Sequence, residues 1–289
     1  MPAYVNPHTR FIDKSFNETH TQSYILSMQI GLHGLVFSVY HPEENKFIVL
    51  ESFRFVGIKN SDHIGDEIDS VIEDRKWLSK KFKGVNIIYE DQNCTLVPSA
   101  LFVKNEKQSF LDFNQPLNKN ISVQFNQIKN AGLVNIFSIS DALSQKVRTV
   151  WLNNSIFHAS TIFIESILIH YKNKADKNSL FIYLHKDYFE LVYLKNSKLF
   201  FHNSFKFKSK EDFIYFLLAA IEQLGLNPET VKLKLLGDFH KNSIFYEMVY
   251  QYIRHSEFIS KNDTFTYSRL LDNIAHHQFY ILFNVLQCE

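Results

Sequence analysis

One stretch of this chain is written twice. Ser27–Phe55 (SMQIGLHGLVFSVYHPEENKFIVLESFRF) aligns without a gap on Ser179–Phe207 (SLFIYLHKDYFELVYLKNSKLFFHNSFKF), 152 positions later. Ser27/Ser179, Ile30/Ile182, Leu32/Leu184, His33/His185, Phe37/Phe189, Lys46/Lys198, Ser52/Ser204, Phe53/Phe205 and Phe55/Phe207 are identical pairs. Each copy reads as strand, tight turn, strand, turn, strand, and is followed by an amphipathic helix and a further strand. A unit repeated at half the chain length predicts two similar lobes and argues against a solenoid of many short repeats. At 289 residues the chain also exceeds the usual size of a single hydrophobic core.

Composition narrows the function classes. With 28 phenylalanines and only 8 glycines, the cores should be aromatic-heavy and glycine-built loops few. The net charge is +1, and only six arginines occur, at positions 10, 54, 75, 148, 254 and 269, so direct nucleic-acid binding is not expected. Neither a secretory leader pattern nor a long apolar run is visible, which predicts a cytoplasmic protein without membrane insertion. Cys94 and Cys288 are isolated thiols without CxxC spacing and read as reduced.

Along the chain, residues 1–22 read as a polar arm able to add an edge segment. Lobe one spans 23–132, with an Asn- and Gln-rich stretch at about 111–132 read as an irregular insertion. It begins with a hairpin, Tyr24–Ile30 and Leu35–Tyr40, and a third strand, Lys46–Phe55. A helix over Ile64–Phe82, stopped by Gly84, and a strand over Val85–Tyr89 follow. Lobe two spans 133–289. It contains a strand at Leu133–Ser138, a short helix at Asp141–Val147, a short strand at Thr149–Leu152, and a helix over Ser155–Tyr171. After the repeat come a helix capped by Ser209 with Asp212 and closed by Gly225, a strand at Val231–Leu236, a helix at Ser243–Ile253, and a C-terminal helix over Arg269–Leu286.

Three antiparallel strands, a helix and a strand, present twice, resemble the duplicated ribonuclease-H-like lobes of the actin and sugar-kinase superfamily, its pilus-assembly members in particular. The segments TLVPSALF (95–102), FHAS (157–160), NSFKFKSKEDFIYFLL (203–218) and LKLLGDF (233–239) resemble a bacterial family of uncharacterised proteins, domain of unknown function 3822, over nearly the whole chain from about residue 20. The resemblance implies an α/β fold of mixed sheets and helices in two ribonuclease-H-like lobes of actin-like ATPase type.

Active members of that superfamily bind ATP between the lobes. Each of their lobes carries a hairpin D-x-G-x-x-x-T/S whose Asp serves metal or water and whose Gly admits phosphate to the backbone. The matching positions here are Gln29-Ile30-Gly31 and Phe181-Ile182-Tyr183. Gly31 remains, both carboxylates are missing, and Tyr183 puts a ring where phosphate needs open backbone. The adenosine-side loop, Leu235-Leu236-Gly237-Asp238-Phe239, keeps one glycine. Departure at all three loops argues against hydrolysis.

The superfamily pattern carries Gln29, Gly31, His33, Tyr183, His185, Gly237 and Asp238 to an interlobe cleft, as cofactor-side positions without catalytic or metal-ligating roles. His33 and His185 read as equivalent hairpin-turn residues, Asp187 and Glu190 as exposed strand-end charge, and adjacent His276 and His277 as solvated or capping groups. No GxSxG, HExxH, Walker or Rossmann pattern occurs.

Three functions stand open. The first is a non-catalytic scaffold that holds an unidentified protein partner through its cleft or an exposed strand edge, with no cofactor. The alternative is a nucleotide sensor that binds ATP, with Mg²⁺, without efficient turnover. The third is an enzyme acting on a small molecule in the cleft. A homodimer is compatible with each.

Overall fold

The computed structural model describes residues 7–58, 60–114, 120–172 and 178–288. Packing divides the chain into two compact units, Met1–Ile162 with Asn262–Ile274 and Ile281–Glu289, and Phe163–Lys261 with Ala275–Tyr280.

The first unit contains β1 (Thr9–Ile12), β2 (Ile25–Gly31), β3 (Gly34–His41), β4 (Lys46–Arg54), α1 (Ile64–Asp74), β5 (Gly84–Tyr89), β6 (Cys94–Pro98), α2 (Lys107–Asn114), β7 (Ile121–Ile128), β8 (Leu133–Ser140), α3 (Asp141–Val150) and β9 (Asn154–His158). Its main sheet runs β1-β4-β3-β2-β5-β9. Alternation along β2 and β3 sends Leu26, Met28, Ile30, Leu35, Phe37 and Val39 to one face, where Ile64, Ile68 and Val71 of α1 and Leu143 and Val147 of α3 cover them. A second, three-stranded sheet, β6-β8-β7, packs Val97, Val123, Val134 and Ile136 against Leu111 of α2.

Helix α4 (Ala159–Tyr171) is buried almost all round, its Ser160, Thr161, Glu165 and Ser166 included. Beyond it the second unit holds β10 (Ser179–Leu184), β11 (Tyr188–Lys195), β12 (Lys198–Lys206), α5 (Lys210–Gln223), β13 (Lys232–Gly237), α6 (Ile244–Tyr252) and β14 (His255–Phe258). Its sheet runs β12-β11-β10-β13-β14, the same order as β4-β3-β2-β5-β9. In both sheets the first three strands are antiparallel and the last two join in parallel. Leu180, Ile182, Leu184, Phe189 and Leu191 face Phe213, Leu217 and Ile221 of α5 and Val249 of α6. On the opposite face, Phe163 and Tyr171 of α4 meet Tyr183 and Phe181 edge-on at 5.5 and 4.7 Å. The capping box predicted for α5 is present, with Ser209 and Asp212 bonding reciprocally.

The polar arm does add the edge segment it was read as able to add, at residues 9–12, while residues 1–6 lie outside the described residues. Several elements differ from the sequence reading. The stretch read as an irregular insertion carries the end of α2 and all of β7, because Val123 and Phe125 alternate with Gln124 and Asn126 in a half-buried strand; residues 115–119 lie outside the described residues. Strand β8 and residues 155–158, both read as part of lobe two, pair with β6, β7 and β5 in the first unit; the helix predicted over Ser155–Tyr171 starts only at Ala159, and its first residues form β9 instead. The helix predicted over 64–82 ends at Asp74, and Gly84 opens a strand. Residues read as a strand at 149–152 extend α3 to Val150. The single C-terminal helix is broken into 3₁₀ turns at 269–271, 276–279 and 285–287 around α7 (Tyr280–Asn284), because Ala275, at ψ 82°, interrupts the helical hydrogen-bond ladder. Ahead of it, β15 (Thr266–Tyr267) pairs with the start of β4.

Candidate functional site

The two hairpins share their topology but not the register that the gap-free alignment implies. The backbone N–H of Glu90 donates to Ile30 O, and that of Asp238 to Leu184 O, both at 2.8 Å, so Ile30 and Leu184 are counterparts, 184 − 30 = 154 positions apart. Phe55 N–H donates to His33 O and Phe207 N–H to Asp187 O. The hairpins therefore correspond at 154 (187 − 33), while the third strands correspond at 152 (207 − 55). The two-residue difference lies in the next turn, Pro42-Glu43-Glu44-Asn45 in one unit and Asn196-Ser197 in the other, where both residues adopt the positive φ of a tight hairpin turn. The structural counterpart of Gly31 is thus His185, not Tyr183; Tyr183 corresponds to Gln29 and Asp187 to His33.

In the first unit, Gln29 lies buried on β2 and its Nε2 donates to Glu90 Oε2 at 2.5 Å. Glu90 directly follows β5. It also closes one side of Gly31, where an added Cβ would lie 3.2 Å from Glu90 Cβ and 3.3 Å from its carbonyl oxygen. His33 stands exposed in the two-residue turn. The structure thus brings Gln29 and Gly31 together around a carboxylate that the sequence reading missed. Its only sequence signal is position, an acidic residue at the end of the apolar run Val85–Tyr89.

In the second unit, Tyr183, His185 and Gly237 come together. The His185 ring stacks on Tyr188 at 4.0 Å, 10° from parallel, and lies 4.7 Å from Tyr183. His185 Nε2 is 3.0 Å from Glu190 Oε1, and His202 Nε2 is 2.9 Å from Oε2, so each imidazole donates to its own carboxylate oxygen. Glu190 is 1% exposed. Burial acts to raise its pKa, but hydrogen bonds and charge from His185 and His202 outweigh it and hold the carboxyl well below the ordinary range. The reading of Glu190 as exposed strand-end charge is therefore wrong: an acid in the middle of the apolar run Tyr188–Leu194 must be buried and compensated. Likewise, His185 is a buried structural residue while His33 is exposed. Among the described residues no group of three His, Cys, Asp or Glu side chains is arranged to hold a metal ion.

Gly237 is glycine for close packing. Its φ is +79°, and a Cβ there would fall 2.2 Å from Leu184 O and 2.9 Å from a ring carbon of Tyr183. Asp238 is exposed and pairs with His240 at 3.1 Å. His277, read as solvated or capping, stacks on Phe258 at 4.1 Å and donates from Nε2 to Phe239 O at 2.9 Å; burial lowers its pKa.

A family model described as a protein of unknown function, DUF3822, matches residues 13–256. The chain belongs to the DUF3822 family. No curated protein matches this DUF3822 chain. Among solved structures, a Bacteroides thetaiotaomicron protein described as having an actin-like ATPase fold and unknown function is 22% identical, with a TM-score of 0.78 over 95% of this chain and 99% of that one. A chain of the PilM-PilN type IV pilus biogenesis complex is 11% identical, with a TM-score of 0.63 over 91% and 98%. The fold of this DUF3822 member is that of the actin-like ATPases, and one strand order occurs in both of its units. No helix among the described residues is long and apolar enough to cross a membrane.

Proposed function

We propose that this protein is a non-catalytic protein-interaction module that uses the actin-like shell without nucleotide. The observation that carries this reading is Glu90. Where the superfamily brings phosphate to an open glycine, one side of Gly31 is closed by a carboxylate-bearing residue whose oxygen already takes the Gln29 amide. A phosphate there would meet like charge and would have to displace a formed hydrogen bond. The residues do not fit Mg²⁺ either, since Gln29 is uncharged and its amide is engaged. In the second unit the counterpart positions hold Tyr183 and His185, whose rings pack on each other and on Tyr188 and leave no glycine backbone for phosphate. That a neighbour of this fold is found in the PilM-PilN complex supports protein binding as a use of such a shell.

Calorimetric titration with ATP and ADP in the presence of Mg²⁺ tests the reading. The expected result is no saturable heat and no rise in melting temperature. A ligand at about 100 times its dissociation constant would add roughly 2.7 kcal/mol, so binding would be plain and would favour the nucleotide-sensor alternative.

A further inference from the structure

The two copies of the repeated sheet differ at one edge. In the first unit β4 is covered along its outer side. β1 pairs with it antiparallel, Thr9 against Ser52 through Ile12 against Val49, and β15 pairs with Lys46 and Phe47. His8 N–H donates to Ser52 O and Asp13 N–H to Ile48 O, both at 2.8 Å. In the second unit the corresponding strand, β12, ends its sheet, and no described strand lies beyond it. The pairing of β12 with β11 alternates, and because Phe207 bonds inward to Asp187, the backbone groups of His202 and Ser204 point outward. Ser204 is the counterpart of Ser52. Its N–H is taken locally by Asn203 Oδ1 at 2.9 Å, a side-chain cap where the first unit uses a strand.

Charge selects what can dock there. Lys195, Lys198, Lys206, Lys208 and Lys210 are all exposed, and no acidic residue stands between Glu190 and Glu211. Among the described residues Lys198, Lys206 and Lys208 have no ion-pair partner, Lys195 lies over the Phe200 ring at 5.0 Å, and Lys210 is 3.8 Å from Glu211. Phe200 is 58% exposed on the same strand. Lysines on an edge commonly keep edges apart. Here they also exclude a second copy, since antiparallel pairing centred on His202 sets Lys198 opposite Lys206 of the other chain.

We propose that the outer edge of β12 is a docking site for an extended peptide segment of a partner, acidic at its ends and apolar in alternation between them, which adds as an antiparallel strand. This rests on the interaction-module reading and names its surface. The partner strand displaces the Asn203 cap, bonds the outward groups of His202 and Ser204, and lays its acids against Lys198 and Lys206, as β1 lies on β4.

The test uses the full chain and a fluorescent synthetic peptide of about nine residues, long enough to set one end against Lys198 and the other against Lys206, with Glu at both ends and Val and Thr between. Saturable binding that slows amide exchange at His202 and Ser204 is expected. A Lys-ended peptide should bind roughly five-fold or more weakly, and the Lys198→Glu, Lys206→Glu double variant should reverse the preference. Ser204→Pro removes an outward donor that an edge strand can lose, so it should keep the melting temperature within a few degrees and abolish binding. Binding indifferent to peptide charge, protection confined to other strands, or no binding overturns the proposal. So does a dimer that Ser204→Pro dissociates, because the occupant is then a second copy. Saturable Mg-ATP binding strikes the module reading itself, whereas peptide failure without nucleotide binding removes only this edge.

Discussion

Set side by side, β2–β4 and β10–β12 are one sheet built to two designs. Both bury one carboxylate, but they compensate it differently. Glu51 on β4 is fully buried and is met by Arg75 Nε at 2.7 Å and, at 3.8 Å, by the exposed Arg10 of the covering strand β1, while its Oε1 and Arg75 Nη2 have no hydrogen-bond partner among the described residues. Burial outweighs Arg75 and Arg10 there and raises the Glu51 pKa. Glu190 on β11 has both oxygens satisfied by histidines within its own sheet, and its pKa falls. A shared strand order therefore fixes where a charge is buried far less than it fixes which strands pair; local hydrogen bonds decide whether the charged form is favoured.

Breaking this contrast gives effects of graded size. Gly237→Ala should be the most damaging change, at about 3 kcal/mol or more, because the added methyl meets the Leu184 backbone at positive φ; chemical denaturation should show partial or complete loss of the folded second unit. Glu190→Ala should cost about 3–5 kcal/mol by leaving two buried imidazoles uncompensated, and Glu190→Gln less, since an amide still accepts from one of them.

The two acids also respond to pH with opposite sign. Glu190, lowered in the fold, contributes stability that is present above its unfolded value near 4.5 and lost as pH falls through its folded value. Glu51, raised in the fold, contributes stability that is fully present below that value and lost as pH rises through its folded value. The stability gap between the natural chain and Glu190→Gln should close on acidification below about 4.5, whereas Glu51→Gln should approach or exceed the natural chain as pH rises. Equal pH profiles for the two variants would erase the contrast. The smallest effect is Arg10→Ala, which removes one long, half-exposed contact and should change stability by less than about 0.5 kcal/mol while loosening exchange protection along β1.

Much of this was legible in the sequence, for identifiable reasons. The strands of both hairpins and the Ser209 cap announce themselves by alternation and by turn and capping residues, and the family resemblance carried the fold. The register was not legible. Identities such as Ile30/Ile182 and His33/His185 arise because apolar strands of like composition align at either of two even shifts, and both shifts keep the same faces. The hydrogen bonds of Glu90 and Asp238, with those of Phe55 and Phe207, distinguish 152 from 154. Of the candidate residues, Gly31 and Gly237 are picked out by the superfamily pattern, whereas their tight packing on Glu90 and on Leu184 is seen only in the structure. Glu90, Glu190 and His202 escaped because their roles depend on cross-strand neighbours and on the ends of parallel strands, which no linear pattern displays.

The most direct test of the central claim is amide hydrogen exchange with and without saturating Mg-ATP, followed at Gly31 and Glu90 in the first unit and at His185 and Asp238 in the second. A shell that has lost nucleotide predicts unchanged exchange at all four amides. Slowed exchange at Gly31 and Glu90 on adding Mg-ATP would mean that phosphate reaches the glycine past the carboxylate, and would contradict the account.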